Sequence, residues 1–182
     1  LKRLDVYNQE RQESQQQPIR IGIGINTGDL MLGTVGGKKR IDGTAIGDAV
    51  NLASRLENLT KFYGANILIS QNTLFDLEEF DKYNYRFLDR VQVKGKKEEV
   101  AVFEVLDGDA EAQKQLKIQT KTEFEEAVIL YYQHKYSAAK EIFLNIFHIN
   151  PEDKVVKLYL KRCKKSQIYG IPEEWEKEIF NN

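Results

Sequence analysis

Asn51 and Arg55 are the side chains with the most chemistry to offer. They stand four apart in Asp48-Ala49-Val50-Asn51-Leu52-Ala53-Ser54-Arg55. On a helix that spacing puts them on one face, one turn apart. An amide and a guanidinium near a helix start make a cluster of donors suited to a phosphate or a developing oxyanion. The same spacing equally describes an exposed polar pair. Glycine segments offer less. Gly22, Gly24 and Gly28 do not fit G-x-G-x-x-G, and Gly33 to Lys38 lacks the Ser or Thr that closes a P-loop. Gly33-Thr34-Val35-Gly36-Gly37 is expected to be a turn whose amides could line a phosphate pocket. Lys94 and Lys96 flank Gly95, either as solvated lysines at a hairpin tip or as cations reaching a triphosphate.

Other chemistries find little support. His134 and His148 both fall in the helical C-terminal part and are expected on packing faces. Neither H-E-x-x-H nor G-x-S-x-G occurs. Cys163 is the single cysteine, which excludes a disulfide framework or a multi-cysteine metal site within one chain and favours the cytosol. Six basic residues between Lys154 and Lys165 read as a solvated helix face. The 182 residues carry 27 basic and 28 acidic side chains, evenly spread, so nonspecific nucleic-acid binding is not expected. No apolar run approaches the roughly 18 residues a membrane span needs. The chain opens Leu-Lys-Arg-Leu with Met31 as its single Met, which reads as an internal or C-terminal piece of a longer protein.

The elements that must position these residues follow from periodicity. Leu1, Leu4 and Tyr7 share a helical face, and Pro18 forces an extended start for a strand over Ile19 to Ile25. Its small residues mark where something packs closely. Leu30-Met31-Leu32 and Ile41 to Ile46 are further strands. A helix then starts at Gly47-Asp48, with Asp48 as N-cap, and ends at Gly64. Leu52, Leu56, Leu59 and Tyr63 form its buried stripe. Ile67-Leu68-Ile69 is a short buried strand, and Gln71 to Leu77 one or two helical turns. Tyr83 to Val93 and Val100 to Leu106 form a hairpin through Lys94-Gly95-Lys96-Lys97. This irregular alternation predicts an α+β sandwich. From Ala110 to about Gln167 the pattern is all-α, broken at His134–Tyr136 and at Pro151.

Taken whole, residues 19–106 resemble the second half of a class III nucleotide cyclase catalytic domain. The carrying segments are IRIGIGINTGDLMLGTVGGKKRIDGTAIGDAVNLASRLE, YGANILIS and RFLDRVQVKGKKEEVAVFEV, in that order. The resemblance implies a partial ferredoxin-like α+β sandwich and conversion of ATP to 3′,5′-cyclic AMP and pyrophosphate. Within it Arg55 matches the arginine that stabilises the transferring phosphoryl group, and Asn51 the asparagine that positions the ribose. Lys94 matches the lysine that binds the terminal phosphates, and Thr44 the position facing the adenine edge. A head-to-tail homodimer is implied, with each site between subunits. Mg²⁺ or Mn²⁺ is implied too, but the family's metal-binding aspartates belong to the first half of the domain. No metal role therefore passes to Asp5, Asp29, Asp42 or Asp48, and the chain by itself is expected to be inactive or nearly so.

Some positions depart from the family. Asn26 stands where many relatives have His, and Gly43 where many have Tyr. The lysine that partners Thr44 in reading adenine is missing. A threonine hydroxyl can donate or accept, so guanylate cyclase stays open. A catalytically silent module for dimerisation or protein binding is the alternative from another class.

The expected division is 1–18, the end of a helix from the first half; 19–106, the C-terminal half of the cyclase domain; and 107–182, a helical tail. Ala127, Tyr136, Ala139, Phe143 and Pro151 give that tail a resemblance to one tetratricopeptide-type hairpin. A single repeat cannot bury its own faces. The tail should therefore dock on the cyclase part, its dimer mate or a partner protein, with Trp175 as an anchor. The location implied is cytoplasmic, in a parent protein with or without a membrane attachment.

Overall fold

The computed structural model describes residues 1–37, 40–92 and 99–169. The order is α1 (Lys2–Glu13), β1 (Ile23–Ile25), β2 (Met31–Gly37), β3 (Arg40–Ile46), α2 (Asp48–Tyr63), β4 (Ile67–Ser70), α3 (Gln71–Phe75), β5 (Tyr85–Gln92) and β6 (Glu99–Val105). Helices α4 (Glu111–Gln119), α5 (Lys121–Tyr132), α6 (Tyr136–Ile149) and α7 (Lys154–Tyr169) complete it. One sheet has the strand order β1-β4-β6-β5, with β1 parallel to β4 and the other pairs antiparallel. Strands β2 and β3 form a separate antiparallel ribbon. The expected α+β class is what forms.

Helix α2 lies over the sheet as its stripe predicts: Leu52, Leu56, Leu59 and Tyr63 are buried. Gly64 ends it in the left-handed region, at φ 71°, where a glycine carries no Cβ penalty. The small residues before and in β1 also have their reason. A Cβ on Gly22 would fall into Thr60, and one on Gly24 into the α2 backbone at Ala53 and Glu57.

Three local expectations are corrected. Gly33 to Gly37 is not a turn: these residues are strand β2, paired from Met31↔Ile46 to Gly37↔Arg40. The ribbon's cross-strand hydrogen bonding outweighs glycine's poor strand propensity. Gly47, not Asp48, is the N-cap of α2, and Asp48 is a first-turn acid facing the positive helix end. The strand expected from Ile19 pairs only from Ile23. Ahead of it, Ile19 is held by Asn8, whose Oδ1 accepts from the Ile19 N–H at 2.7 Å and whose Nδ2 donates to its carbonyl at 2.8 Å.

The helical tail shares the sheet's core. One buried cluster runs from Leu52, Leu56 and Leu59 through Leu68, Leu88, Val91 and Val102 to Phe124, Phe143, Val156 and Tyr159. Of the three docking modes expected for the tail, the structure shows docking on the chain's own sheet. Helix α5 lies against the outer edge of β5. There the Phe87 N–H donates to Glu125 Oε1 at 2.7 Å and the Arg90 N–H to Tyr132 Oη at 3.0 Å. Side chains thus occupy edge donors that would otherwise invite another strand.

Ionic contacts pin the same interface. Arg86 of β5 is fully buried, and its guanidinium bridges Glu104 of β6 and Asp153 at the start of α7 at 2.7 Å each. Lys117 of α4 reaches Glu104 and Asp109, each at 2.6 Å. Burial alone would raise the Asp153 carboxyl; the Arg86 guanidinium outweighs it and holds the group below the ordinary carboxylate value.

Candidate active site

The site is built on the N-terminal half of α2, and several contacts fix that helix end. Asn26, just after β1, donates from Nδ2 to the Ala49 carbonyl at 3.1 Å and accepts from Ser70 Oγ at 2.6 Å. Ser70 caps α3, its Oγ accepting the Thr73 N–H at 3.2 Å. Thr73 Oγ1 in turn donates to the Ile25 carbonyl at 3.3 Å. Sequence reasoning noted Asn26 only as a departure. In the structure it ties the ends of β1 and β4 to the first turn of α2. A polar residue flanked by Gly24 and Gly28 at a strand end was its only sequence signal.

Asn51 is exposed and Arg55 half-buried, on one face of α2 away from the Leu52/Leu56/Leu59 stripe. Arg55 Nη1 donates to the Gln92 carbonyl, at the end of β5, at 2.8 Å. Thr44 is half-buried on β3, the strand that leads through Gly47 into α2. Its cross-strand partner is Gly33. Among the described residues, a Cβ on Gly33 would meet nothing within 4 Å, which leaves the place beside Thr44 on that ribbon face open to them. The structure thus gathers Asn51 and Arg55 on one helix, and Thr44 on the strand feeding it. Lys94 lies outside the described residues, as does Trp175.

At its C-terminal end α2 meets a buried carboxylate. Tyr63 Oη donates to Asp89 Oδ2 at 2.6 Å, and Arg162 Nη1 of α7 donates to the same oxygen at 2.7 Å. The Tyr132 hydroxyl of α5 donates to Asp89 Oδ1. Burial alone would raise the Asp89 carboxyl, but Arg162 and the two tyrosine hydroxyls outweigh it and lower it. Burial, with the Asp89 charge behind it, raises the Tyr63 hydroxyl well above its ordinary value. Arg162 is therefore a correction to the expected solvated basic face: it is 6% exposed and paired, because Asp89 needs a buried counter-charge.

The histidines are corrected as well. Both are exposed, not packed, and His134 Nδ1 sits 2.8 Å from Tyr136 Oη. Cys163 is buried, and burial pushes its thiol up to about 11, away from thiolate chemistry. Among the described residues, no three His, Cys, Asp or Glu side chains gather to hold a metal ion. The donors described do not fit a divalent-cation site. Among the described residues, no helix is long and apolar enough to cross a membrane.

Comparison with known proteins places the chain in a family. The family model for the adenylate and guanylate cyclase catalytic domain matches residues 1–106. A terminal-differentiation-specific adenylate cyclase of Dictyostelium discoideum is 41% identical over 146 residues, 80% of this chain and 7% of that protein. That match is longer than residues 1–106, so it takes in part of the helical tail. An adenylate cyclase of Anabaena cylindrica is 46% identical over 107 residues, 56% of this chain and 21% of that protein. The crystal structure of the adenylyl cyclase CyaB from P. aeruginosa aligns with a TM-score of 0.50 and 35% identity, covering 59% of this chain and 54% of that one. The chain spans 7% and 21% of the length of these two curated relatives. With more than half of its residues under the family model, the chain belongs to the adenylate and guanylate cyclase catalytic domain family.

Proposed function

We propose that the chain supplies the transition-state-stabilising half of a class III adenylate cyclase site, making 3′,5′-cyclic AMP for intracellular signalling. The observation that carries this is the placement of Asn51 and Arg55 on one face of α2, with Thr44 on the strand that feeds it. In the reaction the ribose 3′-oxygen attacks the α-phosphorus of ATP and loses its proton to solvent. An O3′–P bond forms, the bond to the β-phosphate oxygen breaks, and pyrophosphate leaves. Little covalent help is needed, so positioning and charge stabilisation supply the rate. Arg55 offers its N–H groups to the charge growing on the phosphoryl oxygens. Asn51 holds the ribose, Thr44 meets the base edge, and Lys94 takes the terminal phosphates.

The remaining assignments belong to the same proposal. Residues 19–106 form the C-terminal half of the domain, residues 1–18 end a helix of its first half, and 107–182 form the tail. Two chains pair head to tail, so that the partner chain's first half supplies the Mg²⁺ or Mn²⁺ ligands. The exposed Leu30, just ahead of β2, and Met31, Leu32 and Ile46 of the β2–β3 ribbon support a pairing surface there. Helices α5 and α6 are one tetratricopeptide-type hairpin, supported by the fully buried Ala127, Ala139 and Phe143. The protein works on the cytoplasmic side. Guanylate cyclase is the second reading, left open by the Thr44 hydroxyl, which can donate or accept.

The test is cyclic nucleotide production by the complete protein, with ATP and GTP supplied separately and Mg²⁺ or Mn²⁺ present. Cyclic AMP from ATP with little product from GTP is expected. The reverse preference would select guanylate cyclase. No product from a folded, dimeric protein would leave the silent binding module.

A further inference from the structure

We propose that Asp89 is a positioning residue for Arg55, and that the helical tail, through Arg162 and Tyr132, holds Asp89 in place. This rests on the reading of Arg55 given above. Asp89 follows the register shift in β5 between Phe87 and Asp89. At that irregularity the carboxylate turns into the core and is 3% exposed. Three hydroxyl and guanidinium donors converge on it, one each from α2, α5 and α7. Its Oδ1 also accepts the Arg90 N–H at 2.9 Å. Tyr159 of α7 adds a bond to the preceding residue, donating to the Leu88 carbonyl at 2.9 Å.

The consequence lies in how α2 is tied to β5. Tyr63 meets Asp89 near the helix C-terminus, and Arg55 meets Gln92 eight residues earlier. Eight residues of helix rise about 12 Å. The three residues from Asp89 to Gln92 span about 10 Å of strand. Helix and strand are thus pinned at two points of matching separation. A shift at the first pin moves the second, which is the guanidinium itself. Arg162 and Tyr132 hold the first pin from outside the family-matched residues 1–106. Remote side chains can matter on this scale, since a misplacement of about 1 Å at a reacting group costs up to about 100-fold in rate.

The experiment uses the complete protein with Tyr63→Phe, Arg162→Met and Arg162→Lys. It reads kcat and KM for ATP, thermal unfolding, and hydrogen exchange of the α2 amides. Tyr63→Phe removes one hydroxyl and leaves the ring packed. It is expected to lower kcat about tenfold with KM changed less than about twofold. Arg162→Met should do the same, and Arg162→Lys should regain most of the loss, with α2 exchange faster in Met than in Lys. If Arg162→Met does not fold, Tyr63→Phe decides. Unchanged kcat in folded Tyr63→Phe, or unchanged α2 exchange in folded Arg162→Met, would overturn the proposal. A wild-type protein without cyclase activity, whose α2 exchange still quickens in Arg162→Met, would overturn the cyclase reading while the mechanical link stands.

Discussion

Arg55 Nη1 donates to the carbonyl oxygen of Gln92 at 2.8 Å, so the helix that carries the proposed phosphoryl-stabilising group is fastened to the end of strand β5. β5 is also the strand onto which the helical tail is locked, through Glu125, Tyr132, Tyr159 and Arg162. The proposed chemistry and the tail therefore share one strand.

Thr44 sits beside the gap left by Gly33, and the account gives it the base edge. Thr44→Ala is expected to change the ratio of kcat/KM for ATP to that for GTP by about tenfold, the scale of one lost hydrogen bond to a bound ligand. Parallel assays with the two nucleotides check this. An unchanged ratio would remove Thr44 from base recognition.

Arg86 is fully buried between Glu104 and Asp153. Its guanidinium also lies over the Phe124 ring, 4.2 Å from the centroid. Arg86→Met leaves two carboxylates short of their counter-charge. Breaking a buried pair in this way costs about 3–5 kcal/mol. Urea unfolding with an unchanged m-value and a lower midpoint is the expected result. A variant as stable as wild type would contradict the role given to the cluster.

Asp153 is held below its ordinary value despite burial, because Arg86 outweighs the desolvation. A lowered folded-state pKa adds stability that is fully present above the unfolded value of about 3.9 and is lost as pH falls through the lower folded value. Asp153→Asn keeps a good helix-capping residue and removes the charge. The melting temperatures of wild type and variant should differ by a constant amount from about pH 8 to pH 5 and converge below about pH 4. A gap that widens on acidification would contradict the assignment.

Removing residues 107–182 would expose Leu88, Val102 and Leu106, and strip Arg86 and Asp89 of partners from the tail. It would also free the edge N–H group of Phe87 and leave that of Arg90 with Asp89 Oδ1 alone. Sedimentation of the truncated protein should show aggregation, as an exposed strand edge and core predict. A soluble, well-folded truncation would show that the tail is dispensable to the sheet.

Much of this architecture is legible in the sequence, because period carries it. The stripe Leu52/Leu56/Leu59/Tyr63 gives α2 and its buried face, and Gly64 gives its end. The donors Asn51 and Arg55 lie on a second face of the same helix, so their shared orientation follows from spacing alone. The glycines of β2 are not legible as strand, because their pairing with β3 is supplied by tertiary register. Nor is Arg162: in a run of lysines it looks like solvated charge, and only the long-range meeting with Asp89 shows otherwise. Asn26 is missed for the same reason, since Ala49 and Ser70 lie far along the chain.

The central claim is that Arg55 stabilises the transferring phosphoryl group. Steady-state kinetics of Arg55→Ala in the complete protein test it most directly. The account predicts a fall in kcat of at least about 100-fold, as for loss of a preorganised donor, with KM for ATP within a few-fold of wild type. A folded Arg55→Ala protein with wild-type kcat would contradict it.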